Sequence, residues 1–247
     1  MLNTIVFGTK MKMIMTKKVI YIIIIVFSLF GCQSNSKNQT GTTNSVKETN
    51  LPIIRVLDTD FSKGRLALEH DINLQDLEKF HGHLCDGLVQ GFLGIQEGLN
   101  VLYPEGIIDR TNTRIVSKSS PCLTDVAIYI TGGRYQYNSF YVDNSIDNGF
   151  YIIQRKDNNR AVKVQMRPGI KPLEIDEMGA KAIQGILPPC DLEKLKYLEE
   201  KFATKLLSTE ANDNFIVSEL VNFKWNPVLK NDFIKTDILN KNKSKCQ

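Results

Sequence analysis

Two of the three histidines in this 247-residue chain stand beside a cysteine, in the segment Phe80–Gly87 (FHGHLCDG). Imidazole nitrogen and thiolate sulfur are the donors that zinc and related transition metals select. His81 and Cys85 lie four residues apart and would share one helical face, while Gly82 lets the chain bend so that His83 converges on them. The segment therefore predicts a transition-metal site, with zinc as the expected ion.

Cys122 stands in a sequence context like that of Cys85, because each cysteine is at the predicted start of a helix. Ser120-Pro121 precedes Cys122, and proline favours the first helical turn. Unpaired amide N–H groups and the helix dipole at such a position favour the thiolate, which is the species that binds metal. We therefore expect a ligand set of His81, His83, Cys85 and Cys122.

Two carboxylates lie beside these ligands in the sequence. Asp125 stands one turn after Cys122 and is expected to be a ligand, an orienting group or a base, and Asp86 follows Cys85 directly. With an open coordination position, either carboxylate makes the chain a candidate metal-dependent enzyme acting on a small molecule, the alternative to a metal-binding protein. A third interpretation joins Cys85 and Cys122 in a disulfide within a structural partner module.

The elements that must position these residues are helices followed by strands. Helical spacing predicts helices at residues 73–81, from 85–87 to a stop at 104–106, and from 120 to 130. Period-two patterns then predict strands at 140–142, 149–155 and 161–167, a helix at 178–187, another capped by Asp191, and a last strand at 215–223. This order predicts an α+β fold, with helices packed on an antiparallel sheet in a single core domain.

The first 32 residues have the pattern of a bacterial lipoprotein signal peptide. Four lysines precede an apolar run at residues 19–30, and no acidic residue occurs before Cys32. The run is short for a transmembrane helix but suits the core of a signal peptide. Gly31 is the small residue that lipoprotein signal peptidase requires, so Cys32 is expected to carry the lipid. An uncleaved anchor or an ordinary signal peptide is the alternative.

The other predicted boundaries follow from composition. Residues 33–50 contain no aromatic side chain and one aliphatic one, which predicts a flexible tether. Residues 51–235 are the expected core domain, and the lysine- and asparagine-rich residues 236–247 a disordered tail. The expected location is the extracytoplasmic side of the cell envelope. Gln33, rather than aspartate, after Cys32 favours the outer membrane where one exists.

The net charge argues against nucleic-acid binding. Without the four leader lysines, 27 of the 31 basic residues remain, and they balance 27 acidic ones. The sequence pI near 8.7 therefore belongs to the leader, and no basic surface is expected. The expected partners are the membrane, through the lipid, and an uptake system of the envelope.

The motif FHGHLCDGLVQGF resembles the FHGHxCPG signature of the formylmethanofuran dehydrogenase E-subunit family. Cys122-Leu123-Thr124-Asp125 followed by Ile130-Thr131-Gly132 is similar to that family's C-x-x-D and T-G helix. The resemblance covers about residues 70–170 and implies an α+β core, metal binding near HGHxC and an intertwined homodimer. No paired cysteines follow, so the chain resembles members without a C-terminal zinc finger.

The chain departs from the family pattern at three places. Asp86 replaces the usual proline, Gly133 replaces a second cysteine, and residues 136–139 replace a G-K-G-N loop. An exported protein would also have no access to a cytoplasmic enzyme complex. The resemblance therefore predicts the fold and the metal site, and not the methanofuran chemistry.

Overall fold

The α-helices begin where capping side chains and prolines allow. The computed structural model describes residues 51–57 and 69–227, so the predicted signal peptide (1–32), tether (33–50) and tail (236–247) lie outside the described residues. The helices are α1 (Leu74–His81), α2 (Asp86–Leu102), α3 (Pro121–Thr131), α4 (Leu173–Ile183), α5 (Pro189–Leu207) and α6 (Ala211–Asn214). Among the residues described, no helix is both long and apolar enough to cross a membrane.

Two sheets complete the fold. The strands are β1 (Ile53–Leu57), β2 (Glu69–Asn73), β3 (Ile108–Asp109), β4 (Thr113–Ser117), β5 (Phe140–Val142), β6 (Tyr151–Arg155), β7 (Ala161–Met166) and β8 (Phe215–Glu219). A small sheet has the order β2-β1-β3, and the main sheet has the order β5-β4-β6-β7-β8. The predicted α+β class is confirmed.

Both sheets are mixed, whereas the sequence predicted a purely antiparallel one. In the main sheet β4 pairs parallel with β5, and the other neighbours are antiparallel. The parallel pair arises because α3 connects β4 to β5 as a crossover, which returns the chain in the same direction. In the small sheet β1 pairs antiparallel with β2 and parallel with β3.

Helix α2 is the central element of the hydrophobic core. Its predicted apolar stripe is fully buried, and it consists of Leu88, Phe92, Ile95 and Leu99. The face of α2 toward the main sheet carries glycines, and a Cβ built on Gly94 would lie 2.6 Å from Cζ of Phe150. Glycine therefore lets the helix backbone approach the sheet more closely than any other residue would.

Replacing Gly94 with alanine is expected to destabilise the protein by about 1–2 kcal/mol. Overpacking against Phe150 costs about 1–3 kcal/mol, and the better helix propensity of alanine offsets up to about 1 kcal/mol of it. Gly179 in α4 is the matched control, because its Cβ would meet nothing within 4 Å. Urea unfolding should show Gly94→Ala less stable and Gly179→Ala slightly more stable than the parent. Equal stability of the two variants would contradict this packing.

Two C-terminal helices differ from their predicted bounds. The helix predicted at 178–187 is α4, which begins at Leu173 after Pro172 and ends before Gly185, whose φ of +72° is left-handed. Pro188 and Pro189 do not stop it but begin α5, so Asp191 lies in the first turn of α5 and is not its cap.

Strands β1, β2 and β3 were not predicted, and β8 ends at Glu219 rather than at 223. Strand β2 reads EHDIN and buries only Ile72, so it lacks the apolar alternation that marks a strand. Beyond β8, Phe223 and Trp225 pack against a second cluster of Val116, Tyr141 and Ile146.

Candidate metal centre

The predicted ligands of the His/Cys segment meet where α1 ends and α2 begins. His81 is the last residue of α1, and Gly82 has a φ of +104°, which turns the chain through a conformation that favours glycine. Cys85 is the N-cap of α2. This short turn brings the ligand atoms of His81, His83 and Cys85 within 4.8 Å of one another.

Cys122 reaches the same point from the first turn of α3. Its Sγ lies 3.2 Å from Sγ of Cys85 and 3.6 Å from Nε2 of His81. The approach needs a glycine at position 87, because a Cβ there would lie 2.8 Å from Cβ of Cys122. Both cysteines are free thiols, so the alternative of a Cys85–Cys122 disulfide is wrong for this structure.

These distances fit a tetrahedral zinc site. With Zn–S near 2.3 Å and Zn–N near 2.0–2.1 Å, neighbouring donors lie about 3.4–3.8 Å apart. The separation between Cys122 and His81 falls in this range, and that between the two sulfurs is slightly shorter. His83 is exposed, so its side chain has room for the small movement that a 4.8 Å outer limit requires. The donor set is therefore compatible with two sulfurs and two nitrogens around one ion.

Asp125 fixes the orientation of the His81 ring. Its Oδ2 lies 2.7 Å from Nδ1 of His81, whose side chain is only 2% exposed. When Nδ1 carries a proton it donates to the carboxylate, and Nε2 then faces the two cysteines. This carboxylate–histidine pair is the outer-shell arrangement that holds a ligating imidazole in one tautomer. Of the three roles predicted for Asp125, the geometry corresponds to the orienting group.

Electrostatics give the metal-free site a separated pair of charges. The hydrogen bond to Asp125, and secondarily the interaction with Cys85, raises the pKa of His81 to about 9. The hydrogen bond from Cys122, together with those from His81 and His83, lowers the pKa of the Cys85 thiol against the effect of burial. The neighbouring sulfur and burial raise the pKa of Cys122. One thiolate, one thiol and one imidazolium are thus expected near neutral pH.

Asp86 belongs to a second charged group beside the thiolate. It is the first residue of α2, it is buried, and its Oδ2 lies 3.8 Å from Nζ of Lys171. Lys171 also lies 2.9 Å from Oδ1 of Asp176. Burial, with a smaller contribution from Cys85, raises the pKa of Asp86 to about 6 although Lys171 opposes the shift. Asp86 therefore faces a lysine and not the ligand atoms.

Glu199 on α5 completes this group, and sequence reasoning missed both Glu199 and Lys171. Burial and then the charges of Asp86 and Cys85 raise the pKa of Glu199 to about 7. Neither residue stands in a motif, and each looks in the sequence like a solvated charge. Only the packing of α5 against α2 brings Glu199 toward the site. His70, the third histidine, lies in β2, outside the His/Cys cluster.

Raising the pH from about 4 to 7 is expected to lower the stability of the metal-free protein through Asp86 and Glu199. Their pKa values are raised by folding from 3.8 and 4.5, so the folded state binds more protons in this window and loses them as the pH rises. The double variant Asp86→Asn, Glu199→Gln should show a flatter dependence, by about 1–2 kcal/mol across the window. Urea unfolding at several pH values measures it, and an unchanged slope in the variant would refute this assignment.

Comparisons with known proteins agree with the segment that carries the site. A family model described as FmdE, Molybdenum formylmethanofuran dehydrogenase operon, matches residues 80–216, which is more than half of the chain. The match extends beyond residue 170 and so includes α4 and α5. No curated protein matches.

A solved structure similar to this chain is that of a tungsten formylmethanofuran dehydrogenase FmdE-like protein from Syntrophus aciditrophicus. The sequence identity is 18%, the alignment covers 60% of this chain and 69% of that one, and the TM-score is 0.39.

Proposed function

Since this chain belongs to the FmdE family, we propose that it binds one transition-metal ion, zinc in the first instance, through His81, His83, Cys85 and Cys122. The observation that carries the proposal is the convergence of two imidazoles and two free thiols from α1, α2 and α3 on one point. A further support is Asp125, because a carboxylate bound to the outer nitrogen of a histidine is typical of metal ligands.

The proposed role is metal handling at the cell envelope. His83 is exposed, so an incoming or outgoing ion has a donor that reaches solvent while His81 stays buried. The leader pattern supports a lipid anchor at Cys32, an extracytoplasmic location and delivery of metal to an uptake system. An intertwined homodimer is part of the same proposal. Cys32→Ser should remove lipid labelling and shift the protein out of the membrane fraction, and unchanged labelling would argue against the anchor.

Metal content tests the proposal. The full-length chain, purified in detergent without a histidine tag, should contain about one equivalent of metal. Competition with chelators of known affinity should then give the zinc dissociation constant. His83→Ala should weaken zinc binding, and His70→Asn is the matched control, since it removes a histidine outside the cluster and should leave the binding unchanged. Absence of zinc binding by the reduced parent, or an equal loss in both variants, would contradict the proposal.

A metal-dependent enzyme is the second candidate, and the charged group of Asp86, Lys171 and Glu199 favours it. A bound metal ion would polarise an oxygen atom of a small substrate. The chain supplies Asp86, whose pKa of about 6 lies near the range that suits proton transfer at neutral pH. The rate of zinc transfer to a chromophoric chelator separates the two functions. Transfer within minutes supports metal handling, and retention over days supports a resident catalytic ion.

A further inference from the structure

The two thiols of the candidate metal centre lie close enough to react with each other. Their Sγ atoms are 3.2 Å apart, and a disulfide needs about 2.05 Å, so the sulfurs have to approach by about 1.2 Å. Both cysteines are free and only partly buried. Gly87 leaves the space between their helices open, because any side chain there would collide with Cys122.

The two sulfurs are not equivalent. Cys85 is the N-cap of α2, and its Sγ accepts a hydrogen bond of 3.4 Å from the amide of Leu88. Negative charge on this sulfur is therefore stabilised by the helix N-terminus as well as by the neighbouring thiol. Cys122 has no such contact with its own helix among the hydrogen bonds described. The geometry therefore distinguishes an attacking sulfur, Cys85, from a resolving sulfur, Cys122.

We propose that Cys85 and Cys122 form a redox-active dithiol that hydrogen peroxide converts to a disulfide. In the first step the Cys85 thiolate attacks one peroxide oxygen, the O–O bond breaks, and Cys85 becomes a sulfenic acid while hydroxide leaves. In the second step Cys122 attacks Sγ of Cys85, the S–O bond breaks, and the hydroxyl leaves as water with the proton of Cys122. The two sulfurs lose two electrons and the peroxide gains them. A dithiol reductant reverses the change.

The consequence for metal binding rests on the proposed function. Disulfide sulfur is not the thiolate that ligates zinc, so oxidation would remove two of the four donors and leave His81 and His83. The zinc affinity should then fall by at least about 1,000-fold. Because reduction restores both thiolates, the site would hold metal only while it is reduced.

The direct test treats the reduced, metal-free, full-length chain with one equivalent of hydrogen peroxide. Alkylation and peptide mass spectrometry should then show Cys85 and Cys122 protected together in a cross-linked peptide pair, and a dithiol should reverse it. In Cys122→Ser the sulfenic acid on Cys85 should persist and react with a dimedone probe. Oxidation of Cys85 to sulfinic acid with Cys122 still alkylated in the parent would overturn the proposal.

A second measurement separates this proposal from the metal-binding function. The zinc-loaded chain is treated with excess peroxide beside a chromophoric chelator, and zinc release should follow formation of the cross-link. If the cross-link forms but the reduced chain binds no zinc, the proposed function fails and the dithiol stands. If zinc binds in the reduced chain but no cross-link forms in the metal-free chain, the dithiol fails and the function stands.

Discussion

Replacing Cys85 with serine is expected to lower the zinc affinity of this protein by about 100- to 1,000-fold. Structural zinc sites with four protein ligands bind with about 10–16 kcal/mol at pH 7, so one donor contributes roughly 2.5–4 kcal/mol. Each 1.4 kcal/mol corresponds to a factor of about ten in the dissociation constant. Cys85 is the ligand best placed to bind as a thiolate, since neighbouring hydrogen bonds lower its pKa. Chelator competition at pH 7 measures the change.

Serine is the informative substitution because it preserves the fold at this position. Its hydroxyl oxygen can accept the hydrogen bond that Leu88 donates to Cys85 Sγ, and serine is a preferred N-cap. The metal-free variant should therefore unfold within about 0.5 kcal/mol of the metal-free parent, since a serine cap replaces the existing one. A variant that folds normally and keeps a dissociation constant within about threefold of the parent would show that Cys85 is not a ligand.

The second large effect is expected from Asp125→Asn, and its size should depend on pH. The variant keeps the shape of the 2.7 Å contact with His81 but removes the charge. At pH 9.5 the loss of a carboxylate partner should weaken zinc binding by about 10- to 100-fold. At pH 7 the loss should be much smaller. There the parent must first displace a proton from His81, because Asp125 raises the pKa of that imidazole to about 9.

This pH dependence separates an orienting carboxylate from a metal ligand. In the metal-free variant the pKa of His81 should fall from about 9 toward 6.5, which an NMR titration of the imidazole resonances would measure. Zinc titrations of parent and variant at pH 7 and pH 9.5 give the two affinity ratios. An equal loss at both pH values, with no change in the pKa of His81, would indicate that Asp125 does not act through His81.

The helices that build the site could be predicted from the sequence because their signals are local. Asn73 caps α1 with a reciprocal capping box to Asp76, and the apolar stripe of α2 has strict helical spacing. Ser120-Pro121 marks the start of α3 in the same way. Since Cys85 and Cys122 both stand at helix starts, their convergence followed once the two helices were expected to pack.

The remaining parts depend on contacts between distant segments. Strand β2 is recognisable only from its pairing with β1, because its own residues are mostly polar. The predicted bounds of α4 were wrong because Pro188 and Pro189 were taken to end one helix, whereas they begin the next. Lys171 and Glu199 lie more than 80 residues after Cys85, and no sequence pattern links them to it. The sequence therefore predicted the metal donors but not the charges around them.

The coordination of the metal tests the central claim most directly. X-ray absorption at the zinc K edge of the zinc-loaded, full-length chain measures the number and kind of the donor atoms. Binding by His81, His83, Cys85 and Cys122 predicts two sulfur scatterers at about 2.3 Å and two nitrogen scatterers at about 2.0–2.1 Å. A first shell of nitrogen and oxygen without sulfur would contradict it, because zinc would then be bound without either cysteine.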